Sequence, residues 1–440
     1  MIDPALLFGA VVAIFLVGIS TITVFHWWKP RKYDYWKKNG LPFVDPSMIV
    51  NNEKPFNELL VERYHNLGPI YGYFEAEKPK ISIGDPTLLK NILIKDFSFF
   101  MGRKPIVTGD EVHDKMLTIA RGEDWKRIRG IVSPIFTTGK LKKMLHIFKN
   151  CSQVLMKCLK SSAEEGKSID LKSIYGAFTT DVIAGAIFSA KVDSHDDPGN
   201  QFVKTARDVF GGKPGKRPTA IQLSMDELVG QCLIFFLAGY ETTSSTLSFV
   251  THILAHHQDV QDKLREEVAK VLAETNGELT YEAVQNMKYL DNVISETLRL
   301  YPPAIQLERY ADADYKLEDK GITIPKGMGV TIPIYAIHRD SKIFSHPERF
   351  DPDRFIPEAK SMRNPYTYMP FGAGPRNCVG MRFALLEIKI CLSYVVTKFR
   401  IKKTPHTKEE LNFHAGGSGF LRPKEVLAEL EIREDSFEIK

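Results

Sequence analysis

The sequence predicts a mainly α protein with a minor β part, and three observations carry that expectation. Helical periodicity dominates the chain beyond about residue 50. One long proline-free stretch runs from Ser224 to about His257. β-branched residues alternate in one short region, Gly321 to Tyr335, around the turn Pro325-Lys326-Gly327.

Composition sets the frame for these elements. With 440 residues, 43% apolar and 26% charged, the chain can bury a large core and is neither disordered nor fibrous. No Ser/Gly linker, low-complexity tract or internal repeat divides it, so residues 51–440 read as one large body. The net charge of +5 is spread along the chain and forms no concentrated basic stripe, which argues against nucleic acid as a partner. The five cysteines (Cys151, Cys158, Cys232, Cys378, Cys391) are an odd set without C-x-x-C spacing, as expected of free thiols in a reducing compartment.

In chain order, the first element is an uncharged, mostly apolar run from Ala5 to Phe25, long enough to span a bilayer at ~1.5 Å rise per residue. Residues 1–28 are therefore expected to form a single membrane anchor, and residues 29–50 a basic, Pro-containing linker. A cleaved signal peptide is the alternative, but no basic residue precedes the run and Trp27-Trp28 suit an interfacial belt. Lys29, Arg31, Lys32, Lys37 and Lys38 follow the run while Asp3 precedes it, which orients the body to the cytoplasmic side. The sequon Asn150-Cys151-Ser152 is then expected to stay unmodified. Gly40-Leu41-Pro42 and Asp45-Pro46 make a stiff, turn-rich connector.

The long helix opens on Ser224-Met225-Asp226-Glu227, a capping box. Its stretch Cys232 to Ala238 is apolar on every face, the pattern of a helix buried through the centre of the body. A further helix is expected from Tyr281 to Leu300, stopped by Pro302-Pro303.

The strongest chemical signal is Phe371-Gly372-Ala373-Gly374-Pro375-Arg376-Asn377-Cys378-Val379-Gly380, where glycines and a proline force a tight loop that presents one cysteine ahead of an apolar helix. This run resembles the haem-binding signature of the cytochrome P450 family. The resemblance implies haem b (iron protoporphyrin IX) as cofactor, with Cys378 as its metal ligand. A thiolate on the iron donates electron density that promotes O–O cleavage, and coordination keeps the sulfur deprotonated. Phe371 is then expected to pack beside the ligand and Arg376 to pair a propionate. The other four cysteines read as buried small hydrophobes.

A second signal is Ala238-Gly239-Tyr240-Glu241-Thr242-Thr243, with a glycine inside a helix at a cost of ~1 kcal/mol relative to alanine. Read alone, a packing explanation serves equally well. The segment resembles the family's oxygen-activation segment, which implies oxygen and proton handling by Thr242 and Glu241 and a groove shaped by Ala238 and Gly239.

Third, Glu296 and Arg299 stand three apart on one helical face, and Pro347 to Phe355 resembles the segment whose arginine completes a buried triad with them. By register that arginine is Arg354, with Arg349 as the alternative, and the triad's role is structural. Trp125 and Arg129 share a face at i,i+4 and match the family's propionate-binding helix. Arg103 and Arg309 fall at further propionate positions, or are solvated surface groups. Lys126, Arg127, Lys140, Lys142 and Lys143 form a basic face for an acidic electron donor, or an ordinary solvated face.

The resemblance covers nearly the whole chain and is nearest to the animal microsomal family-three enzymes that oxidise drugs and steroids. One stretch departs: relatives carry several pocket-roofing helices between the counterparts of Phe210 and Ser224, where this chain keeps only Gly211 to Leu223. The implied activity is monooxygenation of a lipophilic substrate (xenobiotic, steroid or fatty acid type) at the endoplasmic reticulum membrane. One oxygen atom comes from O2, and the electrons from NADPH through NADPH–cytochrome P450 reductase, with cytochrome b5 as a second donor. No Gly-x-Gly-x-x-Gly loop is present, so NADPH is expected on the partner. Two alternatives stand beside this reading. One is a haem-thiolate isomerase or dehydratase, a class that tends to lose the acid–alcohol pair; the other is a haem-binding but inactive truncated isoform.

Overall fold

The computed structural model describes residues 9, 13–20, 34–45, 54–188 (except 76, 105 and 107), 223–317, 321–414 and 419–440 (except 438). The predicted anchor over 1–28 and the short stretch 211–222 fall mostly or wholly outside these residues. Within the predicted anchor, residues 13–20 are helical, with Ile14 and Phe15 more than 70% exposed. Among the described residues no helix is long and apolar enough to cross a membrane.

Helix α1 (Tyr35–Lys38) lies inside the predicted linker yet is docked on the body. Trp36 is 1% exposed and donates its indole N–H to the Tyr73 carbonyl at 3.1 Å. Gly72 faces the Trp36 ring, where any Cβ would collide with it. The main helices then follow as α2 (Gly122–Val132), α3 (Thr138–Glu164), α4 (Leu171–Phe188), α5 (Met225–His256), α6 (Gln258–Glu274), α7 (Tyr281–Asn286), α8 (Lys288–Leu300) and α9 (Met381–Lys398). Helix α5 carries the capping box: the Glu227 N–H donates to Ser224 Oγ at 3.2 Å and the Ser224 N–H to Glu227 Oε2 at 2.8 Å.

Residues 243–255 of α5 are buried between α4, α8 and α9. The expectation that α5 is buried all round fails farther toward its N-terminus. Leu233 and Leu237 are 43% and 56% exposed, because they share an i,i+4 stripe that no described element covers. The predicted helix from Tyr281 to Leu300 is two helices. Met287 leaves helical geometry at ψ 87°, and the Glu267 carboxylate of α6 accepts the Tyr289 and Leu290 N–H groups at 2.7 and 2.8 Å, capping α8 from outside.

The strands are β1 (Ile70–Glu75), β2 (Lys78–Ile83), β3 (Ile169–Asp170), β4 (Leu307–Tyr310), β5 (Tyr315–Leu317), β6 (Ile322–Ile324), β7 (Gly329–Ile332), β8 (Phe399–Lys402) and β9 (Leu427–Ile432). They form a four-stranded sheet in the order β1-β2-β7-β4, a three-stranded sheet β3-β9-β8 and the pair β5-β6. The turn at Pro325-Lys326-Gly327 does not close a hairpin. Strand β6 pairs with β5, whereas β7 runs parallel to β2 (Ile81↔Val330) and antiparallel to β4 (Arg309↔Val330). Two hydrophobic cores result: a large one among the helices, and a second between the four-stranded sheet and the segment from Leu88 to Phe100.

Candidate functional site

The loop before α9 is set by two glycines in the left-handed region, Gly372 at φ +71° and Gly374 at φ +75°. A Cβ on Gly374 would also strike the Leu93 carbonyl oxygen, so only glycine fits there. The loop closes on itself: the Cys378 N–H donates to the Phe371 carbonyl at 2.9 Å, and the Asn377 N–H to the Gly374 carbonyl at 3.0 Å. Phe371 is half-buried and packs on the helical core.

Cys378 keeps solvent-accessible surface while protein surrounds it on most sides, the environment of a concave floor. Burial pushes its thiol up; the Gly380 N–H and the charges of Arg129 and Arg103 oppose that shift. Two cations thus favour the thiolate. Arg129, from α2, donates to the Asn377 carbonyl at 2.9 Å and to Asn377 Oδ1 at 2.8 Å, and so also clamps the residue beside the cysteine.

Arg376, Arg103 and Arg309 converge nearby. Arg376 is 3% exposed, stacks 4.3 Å from the centroid of the Trp125 ring and donates to the Ala120 carbonyl at 2.8 Å, while its Nε and Nη1 have no partner. Arg103 donates to the Arg376 carbonyl at 3.4 Å. Arg309, delivered by β4, is 1% exposed, donates to the Glu308 carbonyl at 2.9 Å and leaves its Nε unpartnered. Burial and the charge of Arg103 hold Arg309 down to about 9; burial, Arg103 and Arg309 do the same to Arg376. Asp312, the carboxylate acting on Arg376, is shared with Arg121 at 3.6 Å and the Gly102 N–H at 3.0 Å. Buried guanidinium N–H groups without acceptors call for an anion from outside the chain.

In α5, Thr242 Oγ1 donates to the Ala238 carbonyl at 2.6 Å, placing both residues on one stripe, and Ala238 is exposed. Gly239 does not shape that stripe. A Cβ there would press on Ile183 Cδ1 at 2.7 Å, so this glycine lets α4 approach α5. Glu241 turns toward α4, where Lys172 Nζ stands 3.3 Å from its Oε1. Sequence reasoning missed Lys172, which lies 69 residues away in the chain and carries no local signal.

The Glu296 carboxylate accepts from Arg299 Nε and Nη2 at 2.7 and 2.8 Å and from the Asp351 N–H at 3.0 Å, with Arg354 Nε at 3.3 Å. Arg349 enters through its carbonyl, which accepts from Arg299 at 3.3 Å. The proposed basic face is partly neutralised. Lys126 pairs with Glu123 at 2.6 Å, Lys142 with Glu282, and Arg127 turns inward to Glu227, leaving Lys140 and Lys143 exposed.

One accessible thiol on a rigid loop, with orphaned guanidinium groups converging beside it, suits a haem-thiolate protein: the sulfur matches a metal ligand and the arginines match two propionates. The comparisons with known proteins agree. The family model for Cytochrome P450 matches residues 37–213 and 213–428, and the chain belongs to that family. Cytochrome P450 3A6 of Oryctolagus cuniculus is 36% identical over 490 residues, covering 96% of this chain and 95% of that protein. Cytochrome P450 3A11 of Mus musculus is 34% identical over 484 residues (94% and 95%), and Cytochrome P450 3A5 of Homo sapiens 34% over 491 (95% and 96%). This is a cytochrome P450 monooxygenase of the 3A type, and haem b is its cofactor. The two family segments meet at residue 213, and an aligned stretch of 490 positions exceeds the 440 residues of the chain.

Proposed function

We propose that this monooxygenase inserts one oxygen atom from O2 into a lipophilic substrate of the xenobiotic, steroid or fatty acid type. Its electrons come from NADPH through NADPH–cytochrome P450 reductase, with cytochrome b5 as a second donor. The observation that carries the reading is Cys378, an accessible thiol under the charges of Arg129 and Arg103 in a loop that admits no side chain at Gly374. Bound there, haem supplies the binding and activation of O2. The chain's own residues do the rest. Cys378 ligates the iron, Arg376, Arg309 and Arg103 meet the propionates, and Trp125 seats the Arg376 guanidinium. Thr242 and Glu241 hold and pass protons beside the site. Leu233 and Leu237 offer apolar surface to a lipophilic substrate.

Residues 1–28 anchor the body to the endoplasmic reticulum membrane with the catalytic part in the cytoplasm, residues 29–50 join anchor to body, and residues 51–440 are the catalytic domain. The apolar run, Trp27-Trp28 and the following basic residues support that topology. A second reading, a haem-binding but inactive shortened isoform, is favoured by one observation: the family match breaks at residue 213, within the segment between α4 and α5. The isomerase or dehydratase alternative is disfavoured by the retained Glu241-Thr242 pair.

The deciding experiment is the absorption spectrum of the reduced, carbon monoxide-bound protein with a Cys378→Ala control, followed by reductase-dependent NADPH turnover. A strongly red-shifted Soret band lost in the control, together with product, is the expected result. That band without turnover identifies the inactive isoform. No band in either protein overturns the thiolate assignment.

A further inference from the structure

Arg103 and Arg309 come from neighbouring stretches of backbone, and each is flanked in the same way. On one side lies a backbone bridge: Gly102 pairs antiparallel with Tyr310, whose N–H donates to the Gly102 carbonyl at 2.9 Å. On the other side lies a row of charges. Lys104 Nζ stands 3.0 Å from Glu75 Oε1, Lys80 Nζ stands 2.6 Å from Glu75 Oε2, and Lys80 Nζ donates to Glu308 Oε1 at 2.9 Å. Arg103 lies between Gly102 and Lys104, and Arg309 between Glu308 and Tyr310. Bridge and charges together therefore close a ring around both arginines.

Lys80 is the link on which the ring depends. Its side chain is 4% exposed, and it starts on β2, two strands away from Glu308 on β4. It crosses β7 at its register partner Gly329, where an added Cβ would come within 2.9 Å of Lys80 Cε. A larger residue there would push the ammonium off Glu308. Alternation along β4 sends Glu308 and Arg309 to opposite faces, so a carboxylate tied on one face fixes the rotation of the strand that carries the guanidinium on the other. Strand β4 needs that tie because it is an edge strand, with its ladder on β7 alone. Burial and the charge of Arg103 hold Arg309 down, so the two cations also push each other apart. The outer pair, Lys104 with Glu75, is half-exposed and too weak to resist this by itself. Burial opposes the Lys80 charge, but Tyr73, Glu75 and Glu308 outweigh it and hold the ammonium above its ordinary value.

We propose that Lys80 is a positioning residue for the propionate-binding arginines: held by Glu75 and Glu308 across the gap at Gly329, it sets the separation of Arg103 and Arg309 before haem arrives. This rests on the reading of those two arginines as propionate partners. Lys80 lies on the face of the sheet opposite Arg309 and acts only through the strand that carries it.

The test compares Lys80→Met, Gly329→Ala, Arg309→Met and the double variant Lys80→Met/Arg309→Met in the full-length holoprotein. Two readouts are used: the rate of haem transfer to an acceptor apoprotein, and the propionate bending bands in the resonance Raman spectrum of the ferric protein. Lys80→Met is expected to speed haem loss about threefold or more and to shift a propionate band. Gly329→Ala keeps every charge while displacing the lysine, and is expected to act in the same direction. In the Arg309→Met background, Lys80→Met is expected to change haem loss by less than about 1.5-fold, the non-additivity of residues acting as one unit. Unmoved propionate bands in Lys80→Met, or the same fold-change with and without Arg309, mark a lysine that merely stabilises the sheet and overturn the proposal. If Lys80→Met fails to accumulate, Gly329→Ala, alone and with Arg309→Met, reads the same quantities. An Arg309→Met protein with parental haem transfer and parental bands shows that the propionate reading itself has failed, and the proposal falls with it. An effective Arg309→Met beside an inert Lys80→Met shows that only the Lys80 link has failed.

Discussion

The guanidinium of Arg376 lies 4.3 Å from the ring centroid of Trp125, and two of its three nitrogens have no hydrogen-bond partner. The indole face stabilises a cation whose remaining donors are aimed elsewhere. Haem binding and stability of the haem-free chain should therefore respond in opposite directions to Arg376→Met. Burial and neighbouring arginines depress its folded-state value from the ordinary arginine value to about 9. The charged form is thus penalised at neutral pH, and the penalty is relieved as pH rises from about 9 toward the unfolded value. The expected outcome is a haem-free Tm raised by about 2 °C at pH 7 and a faster loss of haem to an acceptor apoprotein. Thermal melts and haem-transfer kinetics check the two halves separately.

Glu296 sits at 0% exposure with Arg299 bidentate and Arg354 at 3.3 Å. Glu296→Ala strands buried cations, and stability should fall by about 3–5 kcal/mol. Denaturant titration of Glu296→Ala beside Arg349→Ala measures this, with little change expected at Arg349, whose carbonyl any residue supplies.

Glu387 in α9 is buried at 1% exposure with both carboxylate oxygens unpartnered, and burial raises it well above its ordinary value. A carboxyl whose folded value is raised contributes stability below its unfolded value and loses it as pH climbs toward the folded one. Glu387→Gln should be neutral near pH 4 and stabilising by about 1–3 kcal/mol at pH 8, read as a pH-dependent shift in denaturation midpoint.

Asn150 lies inside α3 with Ser152 fully buried, so the sequon is expected to carry no glycan whichever side of the membrane the body occupies. Topology needs a different measurement. A C-terminal tag should be cleaved by protease added to intact microsomes, whereas protection until detergent is added would place the body in the lumen.

What the sequence made legible was chemistry encoded locally. The capping box at Ser224 and the loop around Cys378 depend on residues within ten positions of one another; the capping box forms as read, and the loop closes on itself through the Cys378 and Asn377 N–H groups. The link between Glu296 and Arg354 was legible once two motifs were placed in register. Long-range contacts were not legible. The break at Met287 is made by Glu267 of another helix, and β6 and β7 part company because Lys80 to Ser82 already offers β7 a parallel edge. Gly239 read as groove space because composition cannot reveal that Ile183 would occupy it. The exposed stripe at Leu233 and Leu237 was hidden for a related reason: periodicity reports an apolar face but not whether a neighbour exists to cover it.

The loop carrying Cys378 touches both hydrophobic cores, since Phe371 and Val379 pack on the helical one while Met369 and Ala373 belong to the sheet-side one. Gly374, lodged against the Leu93 carbonyl, keys the loop to that second body as well. Cys378, the proposed iron ligand, is therefore held by both hydrophobic cores, and loosening of either is expected to release it. The visible spectrum of the holoprotein thus serves as an all-or-nothing gauge of native assembly, so a destabilising change far from the iron would first declare itself as lost colour.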